Sequence, residues 1–325
     1  MKDKHTKKLL LLTAVLLVMA LLLFSVTQLL ESAVLTPERE DVGFVSKTVT
    51  KNGVDYFPQQ DITTILVMGI DRYGPVGDSE TYNNTGAADM NMLVIIDDST
   101  ESVNLLYLNR DMMVEMPVLG LGGRKAGTYY GQLALAHTYG NGLEDSCENT
   151  RETISNVLGG IQIDYYVSMN MDAIAILNDA VGGVTVEVTD DFSQVDPTIT
   201  KGTMTLHGEQ SVNYVRTRKD VGDQLNLSRI DRQKEYINGF SEAFLAAYEQ
   251  DHDIAEDVYR EISPYLVTDM SMSVLSSMIE YYGEYAINRV VTPSGDNVMG
   301  EKYFEFYAHE DALQDLSLEL FYEQK

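Results

Sequence analysis

The chain predicts an α/β fold, a mixed central sheet flanked by helices on both faces (α/β/α), behind an N-terminal transmembrane helix. Three observations predict it: an uncharged apolar run near the N-terminus, continuous apolar β-branched runs further on, and helix-periodic segments interleaved with them.

Residues 9–30 read LLLLTAVLLVMALLLFSVTQLL, 22 residues without a formal charge. At a helical rise of about 1.5 Å per residue, that run is long enough to cross a bilayer. Lys2, Lys4, Lys7 and Lys8 precede it against one acid, Asp3. This bias predicts a cytoplasmic tail over residues 1–8, a single membrane pass, and an extracellular body. Secretory signal peptides also begin with a basic stretch and an apolar run, but this run is too long and no A-x-A site closes it. The expectation is therefore a retained anchor in the cell membrane.

Residues 31–60 are polar and lack helical periodicity, which predicts an extracellular stalk. The character changes at ITTILVMGI (62–70), and MLVII (92–96) and VNLLYL (103–108) repeat it. Runs that are apolar throughout, rather than alternating, predict strands buried on both faces. Helices are expected at Leu133–Tyr139, Glu148–Leu158 and Asp172–Ala180, where apolar residues recur three and four apart, the last stopping at Gly182-Gly183. Ile163–Met169 and Val184–Val188 read as further strands. Gly208 opens the helix GEQSVNYVRTRK, and a longer helix runs from Leu227 to about Tyr248. One domain over residues 61–248 follows, with 249–325 as an acidic, largely helical extension packed on it and a strand at Ile287–Thr292.

Beyond residue 30 the chain carries 19 Lys and Arg against 49 Asp and Glu, a net charge of −30. Nucleic acid is excluded as a partner of the body, because phosphate neutralisation needs a basic face. Cys147 is the single cysteine, so stability rests on an ordinary core and not on disulfides. Its own role is read as structural. His137, in LALAHTYG, reads as a packed histidine, and His207 as a turn or cap residue.

The sequence contains no G-x-S-x-G, no Walker-type glycine loop and no H-E-x-x-H, which lowers serine hydrolase, nucleotide hydrolase and zinc peptidase chemistry. Acids and arginines instead stand at the ends of apolar runs. Asp71 follows ITTILVMGI, Asp89 precedes the next strand, and Arg110 with Asp111 ends VNLLYLN. The carboxyl ends of strands are where α/β sheets bind ligands.

Six of the 23 Lys and Arg fall between positions 216 and 234, among them Arg216, Arg218, Arg229 and Arg232. Converging guanidiniums suit a polyanion such as a diphosphate, and two carboxylates beside them suit a hard divalent cation. Together these residue types point to phosphoryl transfer. Pairing with some of the 50 acids is the ordinary alternative for the arginines.

Five segments in order, ILVMGID, ADMNMLVIID, LLYLNRD, NVLGGIQIDYYVSMNMDAI with LNDAVGGVTVEV, and LHGEQSVNYVRTRK with LSRIDRQ, resemble the LytR-CpsA-Psr family over residues 62–240. These are membrane-anchored enzymes that attach teichoic acid, capsular polysaccharide and similar glycopolymers to peptidoglycan. The resemblance implies that Asp71 and Asp89 bind magnesium, with manganese able to replace it, and that with Arg110 and Arg218 they form the catalytic set. It implies that Arg110, Arg216, Arg218 and Arg229 contact the pyrophosphate, with Gln233 beside them. It also implies a polyprenyl pocket between sheet and helices, and partners comprising a polyprenyl-pyrophosphate-linked glycan, peptidoglycan and the cytoplasmic membrane.

Two positions depart from the family. Ala87 stands where an arginine is usual, and Asn109 where a proline is usual. Arg72 or Lys219 could replace the missing arginine, or the head group could differ. The loss also motivates a second reading, a binder of lipid-linked or wall glycopolymers without turnover. A transcriptional regulator is disfavoured, since eight residues ahead of the apolar run are too few for a DNA-binding portion.

Overall fold

The computed structural model describes residues 47–79, 84–222, 226–251, 254–271, 274, 277, 278, 281, 282 and 285–324. The apolar run at 9–30, the tail before it and the first part of the expected stalk lie outside these residues. Among the described residues no helix is long and apolar enough to cross a membrane.

The first described elements are β1 (Val49–Lys51), β2 (Val54–Pro58), β3 (Ile62–Ile70), β4 (Ala88–Asp97) and β5 (Ser102–Leu108). A hairpin of β6 (Met113–Leu119) and β7 (Lys125–Gln132) leads into a 3-10 helix at Leu133–Tyr139. Then come α1 (Glu144–Val157), β8 (Tyr165–Asn170), α2 (Met171–Ala180), β9 (Val184–Val188), β10 (Gly202–Leu206), α3 (Glu209–Arg216), α4 (Asn226–Gln250) and α5 (Ile254–Ile262). The chain ends with β11 (Leu266–Thr268), β12 (Ala286–Val291), β13 (Gly295–Met299), β14 (Phe304–Ala308), α6 (Glu310–Phe321) and β15 (Tyr322–Gln324).

The central sheet has six strands in the order β11-β8-β3-β4-β5-β12. It is mixed: β3 runs parallel to β8 and antiparallel to β4, and β5 runs antiparallel to β4 and parallel to β12. The continuous apolar runs are explained by the pleat, which sends successive side chains to opposite faces. Ile65, Val67, Met92, Val94, Leu105 and Tyr107 enter one buried cluster, with residues of α2, α3, α4 and α5. Leu66, Met68, Leu93, Ile95, Leu106 and Leu108 enter the other, with residues of β6, the 3-10 helix, α1, α6 and Phe306 of β14. Each face is thus covered, as the sequence predicts.

Four expectations need correction. Residues 49–58, expected in the stalk, form the β1–β2 hairpin and pair with β15. Asn52 and Gly53 turn it with φ of 54° and 79°, the left-handed pair that Asn-Gly favours. The region after 248 does more than pack on a finished domain, because β11 and β12 form both edges of the central sheet. Leu133–Tyr139 is a 3-10 helix. The helix opened by Gly208 stops at Arg216, with Thr217 extended. Arg232 causes that stop: its Nε donates to the Tyr214 carbonyl at 3.0 Å and its Nη2 donates to the Thr217 carbonyl, so a cation satisfies the end of α3.

Candidate active site

Topology gathers the candidate residues at one end of the sheet. β3, β5 and β8 run in the same direction and β4 runs against them. Asp71 after β3, Asp89 at the start of β4 and Arg110 after β5 therefore share an end although they are distant along the chain. The register shifts where Gly69 pairs with Met90 and Ile70 with Ala88, leaving Asp89 as the extra residue of a bulge. Bulges re-aim a side chain, and this one brings Asp89 to the mouth of a cavity.

Asp89 is the centre of the ionic network. Its Oδ2 accepts from Arg229 Nη1 at 3.0 Å, and its carbonyl accepts from Arg229 Nη2 at 3.0 Å. Arg110 Nη1 lies 2.9 Å from Oδ1, but the angle is poor and Oδ1 is buried without an aligned hydrogen bond. Asp71 Oδ1 accepts from Arg216 Nε at 2.9 Å. Tyr73 lies under the Arg216 guanidinium, 5.7 Å from ring centroid to Cζ.

Asp111 ties in the remaining arginine. It is 1% exposed and accepts from Arg218 Nη1 through Oδ2 and from Gln132 Nε2 through Oδ1. Arg110 Nε lies 3.6 Å from the same Oδ1. Burial pushes the Asp111 carboxyl up, and the Arg110, Arg218 and Arg229 guanidiniums pull it back without fully offsetting it. Asn109 sets this turn, since its Oδ1 accepts from the Asp111 N–H at 3.0 Å. Side-chain hydrogen bonds of this kind close tight turns.

Arg229 is nine-tenths buried, and burial pulls its guanidinium down to about 10, with Asp89 opposing. It stays a cation at neutral pH. Gln233, one turn further along α4, donates to the Val215 carbonyl at 3.2 Å and faces the same cavity.

That cavity holds about 140 Å³ of accessible space in a groove open to solvent. Met90, Met92 and Met169 line it from the sheet, Met171 from the start of α2, and Tyr236, Ile237 and Phe240 from α4. Asp89, Arg216, Arg229 and Gln233 stand at its polar end. An apolar chain joined to a charged head fits this shape, because each part meets surface of its own polarity.

All seven predicted site residues, Asp71, Asp89, Arg110, Arg216, Arg218, Arg229 and Gln233, thus lie on one network of pairs or on the cavity it closes. Arg232 does not join them: besides holding α3 it pairs with Asp190 at 2.6 Å and stacks on Phe192. Arg72 turns toward Gly142 and His137, and Lys219 is exposed beyond α3. The sequence reading noted Asp111 beside Arg110 but gave it no role in the site, and it missed Gln132, which carried no signal. His137 is packed as expected, its Nδ1 bonded to the Gly86 carbonyl at 2.7 Å. Cys147 is fully buried, and burial raises its thiol.

A pair of acids is a small donor set for a metal, and among the described residues no three His, Cys, Asp or Glu side chains gather as one. The pair still fits a hard divalent cation, since Asp89 Oδ1 is held only by its ion pair with Arg110 and Asp71 directly follows the neighbouring strand β3. Magnesium commonly takes one or two carboxylates and fills its remaining positions with phosphate oxygens and water.

Comparison with known proteins bears on the family and the fold. The chain is 25% identical over 266 residues to the polyisoprenyl-teichoic acid--peptidoglycan teichoic acid transferase TagU of Bacillus subtilis (strain 168), covering 81% of this chain and 78% of that one. It is 32% identical over 221 residues to biofilm regulatory protein A of Streptococcus mutans serotype c (strain ATCC 700610 / UA159), covering 63% and 50%. A solved structure described as TagT bound to LI-WTA superposes with a TM-score of 0.61 at 23% identity, over 80% of this chain and 90% of that one, and so shares its fold. The model of the LytR_cpsA_psr family matches residues 31–319, and the chain belongs to that family.

Proposed function

We propose that this chain transfers a glycopolymer phosphate from a polyprenyl-pyrophosphate-linked donor to peptidoglycan, working from the outer side of the cytoplasmic membrane to which residues 9–30 anchor it. The observation that carries the reading is the apolar cavity closed by Asp89, Arg216, Arg229 and Gln233. It can hold a prenyl tail and place the first phosphate at its mouth.

In this mechanism Arg110, Arg216, Arg218 and Arg229 bind the diphosphate, with forks suited to phosphate oxygens. An acceptor hydroxyl forms a new O–P bond at the phosphorus that bears the glycan. The bond from that phosphorus to the bridging oxygen breaks, polyprenyl phosphate departs with the electron pair, and the hydroxyl proton is released. The arginines hold the charge that develops on the phosphoryl oxygens and the leaving phosphate. Asp71 and Asp89 would hold a magnesium ion, which when bound neutralises phosphate charge.

The test is transfer by the full chain in detergent with a lipid-linked donor, peptidoglycan glycan as acceptor, and magnesium. Arg218→Ala is expected to lower transfer by roughly 10²–10³-fold with an unchanged far-ultraviolet circular dichroism spectrum. Chelation should stop turnover and magnesium restore it. Undiminished transfer by Arg218→Ala overturns the site, and tight donor binding without product from the wild type would make the chain a binder.

A further inference from the structure

The hairpins on the sheet face opposite the lipid cavity expose tyrosines that phosphate chemistry does not use. The chain has 20 tyrosines and no tryptophan. Among the large hydrophobic residues left exposed are Tyr129 and Tyr130 of β7 at 45% and 56%, Tyr307 of β14 at 40%, and Tyr303 just before β14 at 65%. Single exposed aromatics are ordinary, but a contiguous set marks a binding surface.

Tyr130 and Tyr307 stand on strands that meet, since Gln132 of β7 donates to the Phe304 carbonyl of β14 at 2.7 Å. The Tyr307 phenol is raised chiefly by its hydrogen bond to Glu305, at 2.7 Å, and to a smaller extent by the Tyr130 phenol, so the two are near neighbours. Tyr129 points to the opposite side of β7 from Tyr130 and packs there on Tyr139 with ring centroids 5.6 Å apart. Its ring also lies where a Cβ on Gly131 would stand, so glycine there lets the ring lie flat along the strand.

Both strands lead into the reaction cluster. Tyr130 and Gln132 point to the same side of β7, two residues or roughly 7 Å apart. Gln132 Nε2 donates both to Asp111 Oδ1, at 3.0 Å, and to the Phe304 carbonyl, at 2.7 Å. On β14, Phe306 N–H donates to the Asp111 carbonyl at 2.8 Å, and Tyr307 is the next residue. Asp111 in turn holds Arg218 and Arg110.

We propose that Tyr130 and Tyr307 form the platform on which the acceptor, a pyranose polymer, is laid for attack. This inference rests on the transfer reaction above. Phosphoryl transfer proceeds with entering and leaving oxygens roughly in line. The leaving polyprenyl phosphate withdraws toward the cavity on the α4 face of the sheet, so the entering hydroxyl must come from the other side, where these hairpins stand. Phenol rings offer apolar faces to the C–H faces of sugar rings and hydroxyls to their polar rims. Stacking of this kind needs no charge on the sugar.

The experiment compares the full chain with a Tyr130→Ala/Tyr307→Ala double variant and a Tyr130→Phe/Tyr307→Phe control. The acceptor KM of the alanine variant is expected to rise at least tenfold, with the donor KM and the kcat at saturating acceptor unchanged, while the phenylalanine control stays within about twofold. In parallel, tyrosine fluorescence is titrated with the N-acetylglucosamine hexamer, which the wild type binds and the alanine variant does not. An unchanged acceptor KM overturns the proposal, as does a rise confined to the donor KM. So does a change of oligomeric state with hexamer affinity intact, which would give the surface to a second copy of the chain. If the wild type transfers nothing, the enzymatic reading fails, and the hexamer titration still decides the platform.

Discussion

Arg229 is where desolvation and Coulomb attraction meet most sharply. Its guanidinium is buried and its charge is balanced by Asp89. Removing one partner of a buried pair leaves the other uncompensated, at about 3–5 kcal/mol. Arg229→Ala should therefore lower stability by about that amount in urea unfolding, whereas the half-exposed Arg216→Ala should cost about 0–1 kcal/mol and affect transfer alone. His137 supplies a pH dependence. Burial brings its imidazole down to about 4, against about 6.5 when unfolded. A depressed histidine binds its proton more readily in the unfolded chain, so stability is full above about pH 6.5 and falls as pH drops toward 4. The loss is roughly 3 kcal/mol, and it should vanish from the pH–stability slope of His137→Asn measured beside the wild type.

The helix α4 places Arg229, Arg232 and Gln233 together, and its position depends on Gly239. A Cβ there would stand 2.3 Å from the Thr185 carbonyl oxygen and 3.0 Å from Val184 Cγ1, because α4 lies directly on β9. Alanine in a helix interior gains about 1 kcal/mol over glycine, but overpacking against fixed backbone costs about 1–3 kcal/mol. A carbonyl so close puts the cost at the upper end. Gly239→Ala should lower the melting temperature and, by moving α4, weaken transfer. A melting temperature raised by the substitution would mean that α4 does not rest on β9. The turn at Asn109 and the stop imposed on α3 by Arg232 are of the same kind, since in each a side chain fixes where backbone ends and site begins.

The whole chain from β1 to β15 closes one body. The central sheet takes both of its edge strands from the C-terminal third, and β15 pairs with β2. A fragment of residues 61–248 lacks β11, β12, β14 and α6, so it would expose strand edges and the apolar face that Phe306, Leu318 and Phe321 cover. That fragment should show no cooperative thermal transition by calorimetry, while residues 47–325 should. A sharp transition in the shorter fragment would restore a domain boundary near residue 248.

The interior strands β3, β4 and β5 were legible because burial on both faces demands unbroken apolar runs, and Ile62–Ile70 and its neighbours have no other economical use. The chemistry was legible in outline because arginines gathered in so acidic a chain, and acids placed at strand ends, imply an anion. The N-terminal hairpin could have been read from Asn52-Gly53. The β6–β7 hairpin could not, since the outer strand KAGTYYGQ is exposed and carries no apolar period. Amino-acid order alone determined the layers and the residue types of the site, because periodicity and side-chain chemistry are local properties. Only the tertiary structure decided that residues after 248 finish the sheet, that Asp111 holds two arginines, and that Arg232 serves a helix end. Strand pairing and the meeting of one guanidinium with one carboxylate depend on register between segments a hundred residues apart, which no local pattern encodes.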